Sequence, residues 1–236
     1  MAILVTLAAL AAAIAGVAMS QAGPTPVQLV EQYERIGLRG GIELAREVAL
    51  QDRYLLKRLE RQLQHTDRRL RADAALVFAL RGEPHAFDVL EGILEDRSLR
   101  PKGWAYAHAK WSVAAQIRSD RYYAVHVLAF VKHPRAAELL LPLLADPYLN
   151  YKAAWALGGV GDRRAIPTLI ESLSDEDALM RTSAIEALAR LEAAEALPRL
   201  RALLNDQALP RAGDQISVSD RAKAAIAVIE RALRQK

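Results

Sequence analysis

The chain is predicted to be all-α, an α-α superhelix of about five repeats that follows an apolar N-terminal segment. Three observations carry this expectation: a stretch that repeats itself, two short helical patterns inside each copy, and small residues where copies must meet. The sequence HPRAAELLLPLLADPYLNYKAAWALGGVGD, starting at His133, can be written above DRRAIPTLIESLSDEDALMRTSAIEALARLEA and AAEALPRLRALLND. Glu138, Pro167 and Pro198 then coincide, as do Leu141, Ile170 and Arg201, and Leu144, Leu173 and Leu204. Asp146, Asp175 and Asp206 close the first helical pattern of their copies, 29 and 31 residues apart. A self-similar period of that length, built from paired helices, marks a helical solenoid.

The repeat has a physical logic. Its first helix places Ile166, Leu169, Ile170 and Leu173 on one side, an apolar stripe at three- and four-residue spacing. Ser174 to Asp177 supply side-chain oxygens that can cap the next helix. That helix carries Arg181, Ala184, Ile185 and Leu188, with small Ala residues that let neighbours approach closely. Neither helix can bury its stripe alone, so each copy depends on the copies beside it. The motifs resemble HEAT repeats, in particular the short bacterial type. The resemblance rests on Asp175, Met180-Arg181, Ala184 and Ala187-Leu188 in one unit, and on Gly158, Gly161-Asp162 and Ala165-Ile166-Pro167-Thr168-Leu169 across a boundary. It implies an α-solenoid whose second helices line a concave, partner-binding surface, and it says almost nothing further about function.

Composition narrows the classes. With 236 residues, 52% apolar and 25% charged, the chain can bury a sizeable core and is not of disordered type. The absence of cysteine excludes disulfides, thiol catalysis and cysteine-ligated zinc or iron–sulfur sites. A net charge of +4 permits an acidic partner without requiring one. Residues 2–18 form an uncharged run of Ala, Leu, Ile and Val, so residues 1–22 read as an export signal, with small-x-small cleavage sites ending at Ser20 and Ala22. The body is then expected outside the cytoplasm, periplasmic or secreted. No basic residue precedes the run, so the alternative is an uncleaved single-pass anchor, just long enough to span a bilayer. Arg35 and Arg39 would then favour a cytoplasmic body.

Residues 23–50 are expected to form an N-terminal helical cap. Thr25-Pro26 suits a helix start, and Gly37 to Gly41 a helix stop. The solenoid is expected over residues 51–236. A helix from Arg53 to Gln64 sets Leu56, Leu59 and Leu63 where Ile166, Leu169 and Leu173 stand later, and Arg71, Ala74, Ala75 and Phe78 mark its partner. Between Arg53 and Arg71 seven basic residues face two acids, which reads as a solvated helix face with Arg71 as the repeat arginine. The rival reading is attraction to anionic lipid or an acidic partner. In the second repeat a helix over Ala86 to Leu94 ends at Asp96, but the Arg121-Ala124-Leu128 helix arrives late. The intervening Trp104, His108, Trp111 and Ala115 keep helical spacing, so an extra or lengthened helix is expected. A second insertion, residues 207–219, contains Pro210 and Gly213 and reads as a loop before Arg221. The polar end from Glu230 supplies the capping face that terminal repeats need.

Nine of the thirteen aromatic residues lie between Trp104 and Trp155, a bias that a uniform core would not produce. Registering the second helices sets Tyr122, Tyr123 and His126 beside Tyr151, Lys152 and Trp155, and these beside Thr182, Ser183 and Glu186. Because they fall between core positions, the first six are expected to face away from the stack as a partner-binding stripe. Trp104, Trp111 and Trp155 can also be read as space-filling around the inserted helix.

No catalytic or metal-binding residue and no cofactor is assigned. The five histidines form no i, i+4 pair and none precedes Glu, unlike the di-iron branch of the family that resembles deoxyhypusine hydroxylase. His133, before Pro134, reads as a solvent-exposed turn residue. Gly158-Gly159-Val160-Gly161 follows a helix, not a strand, so it reads as an inter-repeat turn and not a phosphate loop. The expected function is a non-catalytic scaffold that holds a protein or peptide, exported or membrane-tethered through residues 2–18. The alternatives that the resemblance offers are a tetrapyrrole (phycobilin) lyase-like enzyme and a nucleic-acid-binding protein of HEAT-like build. Export disfavours nucleic acid, and the oligomeric state is not legible.

Overall fold

The computed structural model describes residues 23–97 and 113–235; residues 1–22, including the apolar run, and most of the first insertion lie outside them. No strand occurs among the described residues. None of their helices is long and apolar enough to cross a membrane. The chain divides into two compact units at Lys57/Arg58.

In the first unit, α1 (Pro26–Ile36) opens on the expected device. Thr25 accepts from the Gln28 amide while the Gln28 side chain accepts from the Thr25 amide, a capping box with Pro26 at the first helical position. A 3-10 turn, Gly37–Gly40, leads to α2 (Ile42–Ala49). Val30 and Tyr33 of α1, and Leu44, Ala45 and Val48 of α2, are buried where these two helices pack together.

The helix α3 (Arg53–Gln62) runs across the division. The second unit continues with α4 (Arg68–Leu80), α5 (Pro84–Glu95) and α6 (Val113–Leu128). Next come α7 (Pro134–Leu140), α8 (Asn150–Val160), α9 (Ile166–Glu171), α10 (Ala178–Arg190), α11 (Leu197–Ala202) and α12 (Val218–Arg234). Second helices pack in succession, α4 on α6, α6 on α8, α8 on α10 and α10 on α12, each also meeting a first helix. The aligned Leu140, Leu169 and Leu200 are all fully buried. Asp177 caps α10 by accepting from the Leu179 amide at 2.8 Å, as the turn chemistry predicts.

The structure corrects several local expectations. Gly158 and Gly159 lie inside α8, and only Gly161, at φ +82°, makes the turn. Their reason is close approach: a Cβ would lie 2.6 Å from Ala187 Cα at Gly158 and 2.4 Å from the Ala129 carbonyl oxygen at Gly159. His133 is no free turn residue; its Nδ1 accepts from the Arg135 amide to cap α7, and its ring stacks on buried Phe87 at 4.6 Å. The basic stretch is not simply a solvated face, because Arg68 is buried and pairs with Asp96 at 2.7 Å and with Asp120 at 3.3 Å. Arg71 stands only 3.9 Å from Asp96, so Arg68 takes the closer pairing. Lengthening of the second repeat is visible in α6, where Arg121 is the ninth residue, while the aligned Arg181 is the fourth of α10. The rest of that insertion, with Trp104, His108 and Trp111, lies outside the described residues. The loop before α12 ends earlier than expected, since Ser217 already caps that helix.

Arg121 and Arg181 join successive repeats in the same way. Arg121 donates to the Leu94 carbonyl at the end of α5 and pairs with Asp146 beyond α7 at 2.7 Å. Arg181 donates to the Asp175 and Glu176 carbonyls and pairs with Asp206 beyond α11 at 2.8 Å. Each thus spans from its own repeat's first-helix end to the next repeat's aspartate. In α8 the aligned residue is Asn150, whose side chain only accepts from the adjacent Tyr151 amide.

Candidate functional site

The site is built where α6, α8 and α10 adjoin. A helix repeats its side-chain direction every three to four residues, so Tyr122 and His126 of α6, and Tyr151, Lys152 and Trp155 of α8, form a continuous strip across two packed helices. Tyr122 and Tyr151 approach to 6.4 Å between ring centroids. His126 stacks on Trp155 at 5.6 Å with an 18° interplanar angle, and Phe130 meets the His126 ring edge-on at 5.1 Å.

Lys152 departs from expectation, being only 8% exposed. Its Nζ donates to His126 Nδ1 at 3.1 Å, lies 3.6 Å from the Trp155 ring centroid and 4.9 Å from that of Tyr122. Aromatic faces attract an ammonium through the ring quadrupole, more strongly where water is excluded. Among the described residues, no carboxylate stands within ion-pair distance of it. Burial, and next the Arg190 charge, hold the Lys152 pKa down to about 8. Burial, and next the Lys152 charge, push His126 down to about 4. At neutral pH the imidazole is therefore uncharged and accepts, while the lysine is mostly charged and donates. Arg190 stands 5.3 Å from the Trp155 ring centroid.

Two cavities open beside this strip and share the Tyr122–Tyr151 pair. One, of about 240 Å³, is lined by Tyr122, Tyr151, Lys152, Trp155, Ser183 and Arg211 among others. The other, of about 460 Å³, is lined by Arg118, Ser119, Tyr122, Tyr148, Leu149 and Tyr151 among others, and Arg118 lies 4.8 Å over the Tyr148 ring. Tyr122, at 37% exposed, stands between the two.

Of the six residues singled out from sequence, five meet at the strip and Tyr123 turns toward another neighbour. The Tyr123 hydroxyl donates to Asp73 at 2.6 Å and its ring faces the Arg69 guanidinium, so it ties α6 to α4. Ser183 and Glu186, in register with Lys152 and Trp155 but not predicted as site residues, also line the smaller cavity. Arg211 and Asp214 come from the loop before α12, where no periodicity places a side chain, and Arg211 lies 6.0 Å over Tyr151. Among the described residues no group of three or more His, Cys, Asp or Glu could hold a metal. The arrangement offers rigid aromatic surface, a buried cation and hydroxyl oxygens, which suits binding.

Among known proteins, no curated sequence matches the chain. An engineered protein whose crystal structure comes from the Northeast Structural Genomics Consortium is similar, at 18% identity over 89% of this chain and 98% of that one, with a TM-score of 0.42. Residues 140–213 match the family model of HEAT repeats, so over that stretch the chain is similar to the HEAT-repeat family.

Proposed function

We propose that this chain is a non-catalytic HEAT-repeat scaffold that holds a protein or peptide partner along its second helices. One observation supports the reading above others: Tyr122, Tyr151, Lys152 and Trp155 converge from two helices on a cavity of about 240 Å³. Rigid aromatics provide contact area at small entropy cost, and anchors of this kind dominate binding energy at protein interfaces. The proposal includes export, or tethering through residues 2–18, and that part rests on the apolar run alone.

The test is partner capture by the full chain with Tyr122→Ala and Trp155→Ala combined. Capture is expected to fall at least about tenfold, the loss of one or two anchors, while circular dichroism keeps the wild-type helical content. Undiminished capture would remove the strip from the proposal.

A further inference from the structure

The buried ammonium of Lys152 carries the inference furthest. Its position in the register is shared by Tyr123 in α6, Ser183 in α10 and Lys223 in α12. Each of these has its own polar partner: Tyr123 donates to Asp73, Ser183 to the Leu179 carbonyl at 2.8 Å, and exposed Lys223 pairs with Asp220 at 3.3 Å on the surface. Lys152, by contrast, has only a neutral imidazole nitrogen and two aromatic faces, and with Ser183 it lines the smaller cavity. An ammonium has three donors. A buried charge ordinarily finds a counter-charge, and leaving it without one costs several kcal/mol.

The charges around the cavity sum to a small positive excess. From α10, Glu186 faces it but is taken up by Arg221 of α12, and Ser183 and Thr182 offer hydroxyl oxygens. From the loop before α12 come Arg211 and Asp214, and from α6 come Tyr122 and neutral His126. Against the carboxylates Glu186 and Asp214 stand Lys152, Arg211 and Arg221, an excess of one positive charge, with Arg190 5.3 Å from the Trp155 ring centroid.

We propose that this cavity takes a peptide carboxylate, which pairs with the Lys152 ammonium while the flanking residue of the peptide lies on Tyr122, Tyr151 and Trp155. This rests on the peptide-binding reading above and names the chemistry it selects. The carboxylate has two sources, a peptide C-terminus or an Asp or Glu side chain. A carboxylate there supplies the missing counter-charge, so binding draws a proton onto Lys152 when the pH is near or above 8.

Three pools of random heptapeptides distinguish the outcomes on the immobilised full chain: free C-termini without Asp or Glu, amidated termini with one Asp or Glu, and amidated termini with neither. At pH 7 one or both acidic pools should be retained about tenfold or more over the neutral pool, as a charge-assisted hydrogen bond predicts. Which acidic pool wins names the source. Lys152→Met should abolish that preference without lowering the melting midpoint, and Lys152→Arg should retain part of it. For the wild type the preference should decline from pH 7 to pH 9.5 as the free lysine loses its proton. If the pools are retained equally, or if Lys152→Met keeps the preference, the carboxylate assignment is overturned while peptide binding stands. Retention of no pool overturns both readings.

Discussion

The step from α10 to the last repeat and the step from α8 to the repeat after it solve one packing problem in different ways. At the first, Arg181 reaches from the Asp175 carbonyl to the Asp206 carboxylate, a polar tie that the earlier Arg121 repeats with Leu94 and Asp146. At the second, Asn150 cannot reach so far, and glycine takes over: Gly158 lets α8 settle directly on Ala187 of α10. A repeat array therefore tolerates loss of its tie where the backbones themselves approach closely. The same irregular helix, α8, carries Lys152 at a register position that its neighbours fill with satisfied or exposed groups. The regular steps hold the stack, and the irregular one carries the site.

The largest effect should come from filling the glycine contact. Gly158→Val presses a branched side chain onto the Cα of Ala187, and backbone cannot yield as a flexible side chain does. A loss of about 3 kcal/mol or more is expected from chemical denaturation, at the high end for overpacking. The control is Gly92→Ala in α5, where a Cβ would meet nothing within 4 Å; it should be neutral or stabilise by about 0.5–1 kcal/mol. Equal effects at the two sites would break the comparison.

The polar tie comes next in size. Arg181→Met leaves Asp206 and the Asp175 carbonyl without their partner, in a site where Arg181 and Asp206 are 13% and 19% exposed. About 2 kcal/mol should be lost, as when one partner of a part-buried pair is removed. Asn150→Arg asks the converse question, since it places the tie residue opposite Asp175. A gain of up to about 1 kcal/mol is expected if the geometry is shared; destabilisation would show that α8 has been fitted to its glycine contact at the expense of the tie.

Much of this was legible in the sequence, because it depends on local chemistry or on period. The Thr25 and Asp177 caps, the first-helix stripes and the ends at Asp146 and Asp175 each follow from a few neighbouring residues. The convergence of Tyr122, Tyr151 and Trp155 also follows, since alignment of repeats is alignment in space. What was not legible depends on what comes from elsewhere. Gly158 and Gly159 look like a turn until Ala187 and Ala129 are set against them. Lys152 sits at a position that reads as outward, but the rings of His126, Tyr122 and Trp155 cover it. Arg68 outcompetes Arg71 for Asp96 by about one helical turn, a difference no alignment of period resolves. Arg211 lies in an aperiodic insertion and carries no signal.

Lys152 and His126 give the finest test, since burial lowers the proton affinity of both and the Lys152 charge lowers that of His126 further. The folded-state pKa of Lys152, about 8, lies below the value near 10.4 of an unfolded lysine. Between those pH values the unfolded chain holds the extra proton, so stability rises with pH across that window, and below pH 8 the penalty of the buried charge is fully present. Lys152→Met should therefore stabilise the free protein by about 1–2 kcal/mol at pH 7, and the advantage should shrink as pH climbs from 8 toward 10.4. For His126 the order is the same at lower pH: with a folded value of about 4 against about 6.5 unfolded, stability falls as pH drops through that interval. Because burial is the larger cause and the Lys152 charge the smaller, Lys152→Met should raise the His126 titration midpoint seen by NMR only part of the way toward 6.5. A full return would mean that the lysine charge, not burial, sets the histidine; no movement would mean that Lys152 does not stand over it as a cation.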